Sequence, residues 1–363
     1  MSLARAAVAI GAIALAACTR APASSGAGAG AAASTTSPSP PPAASAASDA
    51  GAVVDLPPDA AAPAPPEIPE PTFDEILRIL FAERTSADPI VAACPASLPG
   101  EARVRCLYDE RYKGDAKAAS LAHELYVKWR IIAGVEVAHT MDGGFRGLIK
   151  LEPGVAVGEN RKHLEWVAGA MRDFDAFFVE LDKFRVDHGG VVSAAKPYRF
   201  RPIILRFMKS MNVRRPSAYA HDWTVAYNFN GSLNLNGEAV RETMFHEIFH
   251  LNDAAHGWWS REALEKIFQV PVKKCGTNIP CLAPFTPNET IVVGGTYYAF
   301  QPGNGVVEYA AELALRYYRE QRAALRSLPK VKPFKCGPPE NAKAWALMKD
   351  EFFAGVDAVP PCS

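Results

Sequence analysis

The chain has 363 residues, with 39 Lys and Arg against 39 Asp and Glu and a formal net charge of zero. That balance gives no basic excess of the kind nucleic-acid binding needs. The length suits one large domain once the unusual N-terminal segment is set aside.

The first 18 residues, MSLARAAVAIGAIALAAC, carry a positive Arg5, a short apolar run from Ala6 to Ala14 and the small-residue stretch Leu15-Ala16-Ala17 before Cys18. The run is too short to span a bilayer stably. It resembles a bacterial lipoprotein signal. The resemblance implies that residues 1–17 are removed, that Cys18 is lipidated and that the protein is exported and membrane-anchored, on the periplasmic face or cell surface. A plain secretory signal is the alternative, and both export the chain. Residues 18–71 are almost wholly Ala, Pro, Ser, Gly and Thr, with Pro-rich runs at 38–42 and 57–66. Such a composition cannot bury a core and predicts a disordered or partly extended tether. No other stretch is apolar enough to cross a membrane.

Residues 72–363 then form the globular domain. Six of the seven cysteines lie in it, and an even number in an exported chain argues for disulfides. Their clustering suggests Cys94 with Cys106, Cys275 with Cys281, and Cys336 with Cys362. A structural metal site competes, but no CxxC pair favours it.

Helical periodicity covers 73–84 and 116–132, with Pro95 and Pro99 marking a loop between them. VEVAHTM and FRGLIKL flank Asp142-Gly143-Gly144, a hairpin signal. A long helix is predicted over 160–184, with Leu164, Val167, Met171, Phe174, Phe178 and Leu181 recurring at three and four. Strands are predicted over 198–208 and 223–235. Then EAVRETMFHEIFHLND, 238–253, reads as an amphipathic helix with Val240, Met244, Ile248 and Leu251 opposite His246 and His250. Farther on, Asn304 reads as an N-cap, and residues 306–315 are apolar nearly all round except for Glu308 and Glu312, which share one helical face.

His246-Glu247-Ile248-Phe249-His250 is an HExxH motif. On a helix its two imidazoles reach one metal ion, and Glu247 stands where a general base is wanted. A bare pair of histidines on a half-buried helix is the competing explanation. A mixed sheet feeding such a helix resembles the zincin metallopeptidases. The resemblance implies an α+β zincin-like fold with a mainly helical C-terminal lobe, and a rim near Asn230 to Asn236 that pairs with an extended substrate.

Catalytic zinc generally has three protein ligands. His256 gives the metzincin histidine spacing HExxHxxGxxH, but Asp253 stands where that family has glycine, and the only later methionine, Met348, sits in the helical stretch ENAKAWALMKDEFF. Glu308 is preferred. From His246 to Glu312 the chain resembles the gluzincins, and within them the anthrax lethal factor catalytic-domain group. Those combine HExxH, an acidic residue three positions on, a tyrosine and a downstream ExxAE helix. Here these are His246, Glu247, His250, Asp253, Tyr297 or Tyr298, and Glu308 to Glu312. The resemblance covers about 223–320. It implies that Glu308 binds zinc, that Glu312 and Asp253 orient ligands, and that Tyr297 or Tyr298 stabilises an oxyanion, although core packing explains the tyrosines equally well.

The implied activity is zinc-dependent hydrolysis of peptide bonds in a peptide or protein substrate, with Glu247 as general base. A non-catalytic surface lipoprotein of the same fold and a hydrolase acting on a non-peptide amide remain the alternatives.

Overall fold

The computed structural model describes residues 69–142, 147–190, 198–211, 216–292, 295–329 and 332–362. The segment 1–17, Cys18, the tether apart from 69–71, the turn residues Gly143 and Gly144, and Gly294 lie outside the described residues.

The architecture is mixed α+β. Four helices come first: α1 (Phe73–Leu80), α2 (Asp88–Ala93), α3 (Gly100–Arg111) and α4 (Ala116–Trp129). Thr72 and Glu75 form a reciprocal cap on α1, which satisfies two backbone N–H groups that the first turn leaves without partners. The sequence reading missed α2 and α3. α3, GEARVRCLYDER, has no clean apolar stripe, yet it buries Leu107, Tyr108 and Arg111 and is tied to the end of α2 by Cys94–Cys106. The predicted helix 116–132 ends at Trp129 because Arg130 turns left-handed, and Ile132 opens a strand instead.

Six strands follow in one sheet: β1 (Ile132–Val135), β2 (His139–Asp142), β3 (Leu148–Pro153), β4 (Ile204–Ser210), β5 (Ala218–His221) and β6 (Thr224–Asn228), with α5 (Arg161–Asp187) between β3 and β4. β4 is central. β6 runs parallel along one side of it, while the other side is shared by β1, parallel over Ile204 to Phe207, and β3, antiparallel over Met208 to Ser210. β2 pairs antiparallel with β3, and β5 pairs antiparallel with β6 at the far end. Alternation puts Leu205, Phe207, Val225 and Tyr227 into the main core. Met208 and Ala226 turn to the opposite face, where they meet Ile149, Leu151 and Tyr219. Gly134 of β1 lies directly under α1: a Cβ there would stand 2.2 Å from the Ile79 carbonyl oxygen.

Two expected strands are shorter than predicted. The ladder over 198–208 starts only at Ile204, after Pro202, which has no N–H to donate. The strand expected over 223–235 stops at Asn228, so Asn230 to Asn236 are not an edge strand. Turn chemistry overrides the alternation there. Asn228 Nδ2 donates to Ser210 Oγ (2.9 Å) and Pro216 O (2.7 Å), and Asn234 Nδ2 donates to Ser217 O and Asn228 O, each at 2.8 Å. The strand at the sheet's end is β5.

Helices complete the chain: α6 (Gly237–Ala255), α7 (Trp259–Ala263), α8 (Glu265–Cys275), α9 (Ile279–Leu282), α10 (Gly305–Leu325) and α11 (Pro339–Phe352). The cysteines pair as expected, Cys94–Cys106, Cys275–Cys281 and Cys336–Cys362. No helix among the described residues is long and apolar enough to cross a membrane. α6 is not amphipathic as expected, since every residue from Thr243 to Asp253 is buried. It packs against α5, α10 and β5.

Those three helices meet in an aromatic cluster. Phe245 of α6 stacks on Tyr318 of α10 with centroids 4.3 Å apart, and Phe174 of α5 meets both rings edge-on. Directly beside it, Asp173 of α5 accepts from the Tyr318 hydroxyl and from Arg326 (2.5 Å), with Arg322 Nε at 3.1 Å and Arg241 Nε of α6 at 3.6 Å. Burial pushes the Asp173 carboxyl upward, but Tyr318 and the three arginines outweigh it and hold the group below its ordinary value. A depressed carboxylate contributes stability that is complete above its unfolded value of roughly 4 and is lost as pH falls through the folded one. Asp173→Asn leaves three arginines without their shared anion and is expected to destabilise the fold by about 3 kcal/mol in urea titration at neutral pH. The gap to the unmodified chain should narrow as the titration is repeated at more acidic pH.

Candidate metal centre

α6 is set by its ends. Asn236 caps it by accepting from Ala239 N (3.0 Å), and at the other end Gly257, with φ of 71°, turns the chain toward α7. Asp253 secures that turn: its carboxylate accepts from Ser260 N (2.8 Å) and Ser260 Oγ (2.6 Å), so the hydrogen bonds found for this side chain go to the turn and not to an imidazole. His256 is the C-cap. Its Nδ1 lies 2.6 Å from Glu351 Oε1 on α11 and its ring packs on Phe352, away from the other two histidines. The metzincin alternative for the third ligand therefore has no geometric support.

Between these ends, His246, His250 and Glu308 converge. His246 Nε2 is 3.1 Å from His250 Nε2 and 3.2 Å from Glu308 Oε2, and His250 Nε2 is 3.4 Å from the same carboxylate oxygen. Two ligands bound tetrahedrally at zinc-like distances of about 2.0–2.1 Å stand about 3.3 Å apart, so the spacing suits one small cation held by all three. Each residue is at most 4% exposed. None of the hydrogen bonds or ion pairs these residues make among the described residues is to a lysine or arginine. This buried His246, His250, Glu308 group can hold a metal ion.

Glu308 comes from the first turn of α10, where the positive end of the helix favours a carboxylate. Burial alone would raise it, but the two imidazoles facing it hold it well below the usual carboxylate range. In the same way burial disfavours a charged His246, yet Glu308 and Glu312 outweigh it and push the imidazole up to about 10. Binding a cation among these atoms would therefore displace a proton from the imidazole–carboxylate pair.

Around the three stand the other expected residues. Glu312 Oε1 is 3.1 Å from His246 Nδ1, close enough for an ion pair although the ring N–H is not aligned on it as a hydrogen bond. Tyr298, in a short 3-10 turn over Tyr298–Phe300, donates its hydroxyl to Glu308 Oε2 at 2.8 Å. Tyr297 bridges Ile291 through its backbone and is buried, and only Tyr298 has a hydroxyl found on a member of the group. Glu247 is 1% exposed, and its Oε1 has no hydrogen-bond partner among the described residues. Burial, partly offset by the neighbouring histidines, raises its carboxyl to about 7.

Sequence reasoning missed Asn288, which holds the far side of Glu312 (Nδ2 to Oε2, 2.9 Å). A lone asparagine between Pro287 and Glu289 carries no spacing signal, and only the fold reveals it.

The ligand set can be checked by metal content after gel filtration in dilute zinc. The unmodified chain and His256→Ala are expected to retain one equivalent, and Glu308→Gln to bind at least tenfold more weakly. Retention by Glu308→Gln with loss in His256→Ala would reverse the assignment. Comparison of the chain with protein-family models, curated proteins and solved structures finds no match, so the reading of this centre rests on its own geometry.

Proposed function

We propose that the chain is a zinc-dependent peptidase of zincin-like fold, related in its site to the gluzincins. The observation that carries this is Glu247: a buried carboxylate with one oxygen unpartnered among the described residues, on the same helix as the two imidazoles and beside a third, acidic side chain. Structural zinc sites are usually closed by four protein ligands, whereas three leave a position for chemistry.

A zinc ion in this centre supplies Lewis acidity, lowering the pKa of water and polarising a carbonyl. His246, His250 and Glu308 would hold it, with Glu312 beside His246 and Tyr298 on Glu308 keeping their mutual spacing. Glu247 Oε1 takes a proton from the attacking water and returns it to the departing amine nitrogen. Glu247, raised by burial, would be ionised and able to act as base beside a bound cation. Tyr298 donates its single hydroxyl proton to Glu308 Oε2, so it would serve a developing oxyanion only by giving up that bond.

Low exposure of the whole group favours a second reading, a zincin-like surface lipoprotein whose metal serves structure alone. Glu247→Gln separates the two. It should retain zinc and lose between about a hundredfold and ten-thousandfold of kcat on any peptide the unmodified chain cleaves. Zinc-loaded protein that cleaves no member of a broad peptide library would end the peptidase reading.

We further propose that the domain is exported and held at a membrane by a lipid on Cys18, as the first 18 residues suggest. Cys18→Ala is expected to move the protein from the membrane to the soluble fraction on cell fractionation. An unchanged distribution would count against the lipid anchor.

A further inference from the structure

We propose that Asn288 is a positioning residue of the metal centre, fixing Glu312 and through it the His246 ring, and so setting how long the metal is retained. This rests on the assignment of His246, His250 and Glu308 as metal ligands, and not on which bond is hydrolysed.

Asn288 lies in the connection between α9 and the 3-10 turn of Tyr298, and it is 3% exposed. Its backbone carbonyl accepts from Thr286 Oγ1 at 2.6 Å. Its side-chain amide is fully used: Nδ2 donates to Glu312 Oε2 (2.9 Å) and to the Glu312 backbone carbonyl (2.8 Å), while Oδ1 accepts from an Arg319 guanidinium nitrogen (3.1 Å). Only this orientation of the amide sets donors against the two acceptors and an acceptor against the donor. The two carboxylate oxygens of Glu312 are thereby divided. Oε2 is held by Asn288, and Oε1 is turned to His246 Nδ1 at 3.1 Å.

The contacts continue beyond Asn288. Arg319 Nε stands 3.1 Å from Glu242 Oε1, and Glu242 is one turn before His246 on α6. A chain of polar contacts therefore leaves α6 at Glu242, crosses to α10 at Arg319, passes through Asn288 to Glu312 and returns to α6 at His246. Asn288 is the one member supplied by a loop. It adds donors without adding charge, in a centre that already holds Glu247, Glu308 and Glu312 within reach of one another.

A carboxylate fixed 3.1 Å from Nδ1, close enough for an ion pair though not aligned as a hydrogen bond, favours the tautomer protonated there, which leaves the Nε2 lone pair for a metal. If Glu312 can swing away, His246 loses that orientation. The ligands remain, but the ion leaves faster.

The test is zinc release from the full chain to an excess of a chromogenic chelator, for the unmodified protein, Asn288→Ala, Glu312→Gln and the double variant. Each single change is expected to speed release about tenfold or more. The double variant is expected to release zinc no faster than the quicker single variant, because Asn288 acts through Glu312. Should Asn288→Ala not fold, Asn288→Asp keeps the volume and the acceptor for Arg319, removes the donor to Glu312, and carries the same expectation. Release from the Asn288 variant at the unmodified rate, or factors that multiply in the double variant, would overturn the proposal while leaving the metal centre standing. An unmodified chain that takes up no zinc would remove both.

Discussion

The structure turns on the burial of one carboxylate against two imidazoles. Glu308 leaves water, at 3% exposure, in a site where His246, His250 and the Tyr298 hydroxyl are its partners. An isolated ionised carboxylate there would cost far more than a domain's whole margin of stability, so the group must be neutralised by a proton on an imidazole or by a cation. That requirement fixes how α6 and α10 cross. The first turn of α10 must lie over the second half of α6, and the same crossing sets Glu312 against His246 one helical turn farther along.

Away from the site, the crossing is held by Asp173. Its carboxylate gathers Tyr318 and Arg322 of α10, Arg326 just past the end of α10, and Arg241 of α6, next to the stack of Phe245 on Tyr318. The apolar stack gives α5, α6 and α10 their contact area. The ion cluster adds direction, since three guanidinium groups can gather within ion-pair distance of one anion only in a narrow range of helix positions. The metal-holding residues are thus preorganised by packing that involves none of them.

Much of the site was legible in sequence because helical spacing is a local property. His246 and His250 at i and i+4, and Glu308 and Glu312 at i and i+4 in an otherwise apolar helix, could be placed on common faces without knowing the fold. The three cysteine pairs were legible from their clustering. What failed was whatever depended on distant partners. α6 reads as amphipathic although it is buried on every side, because sequence cannot show that β5 and α10 cover what would otherwise be its wet face. The alternation after Trp223 suggested a long strand, but Asn228 and Asn234 spend their amides on Ser210, Pro216 and Ser217 and turn the chain. α3 had no stripe to find. Asp253 matched a family position, but its hydrogen bonds are with Ser260 in the turn to α7, and Asn288, which touches the centre's supporting carboxylate, matched no pattern.

The central claim is that two imidazoles and one carboxylate hold a metal ion and leave a position open. X-ray absorption at the zinc edge of the zinc-loaded full chain tests it directly. The expected spectrum has only nitrogen and oxygen neighbours at about 2.0–2.1 Å, with the outer scattering of two imidazoles and one further ligand that exchanges when a small anion is added. Sulfur in the inner sphere, or the outer scattering of a third imidazole, would contradict it.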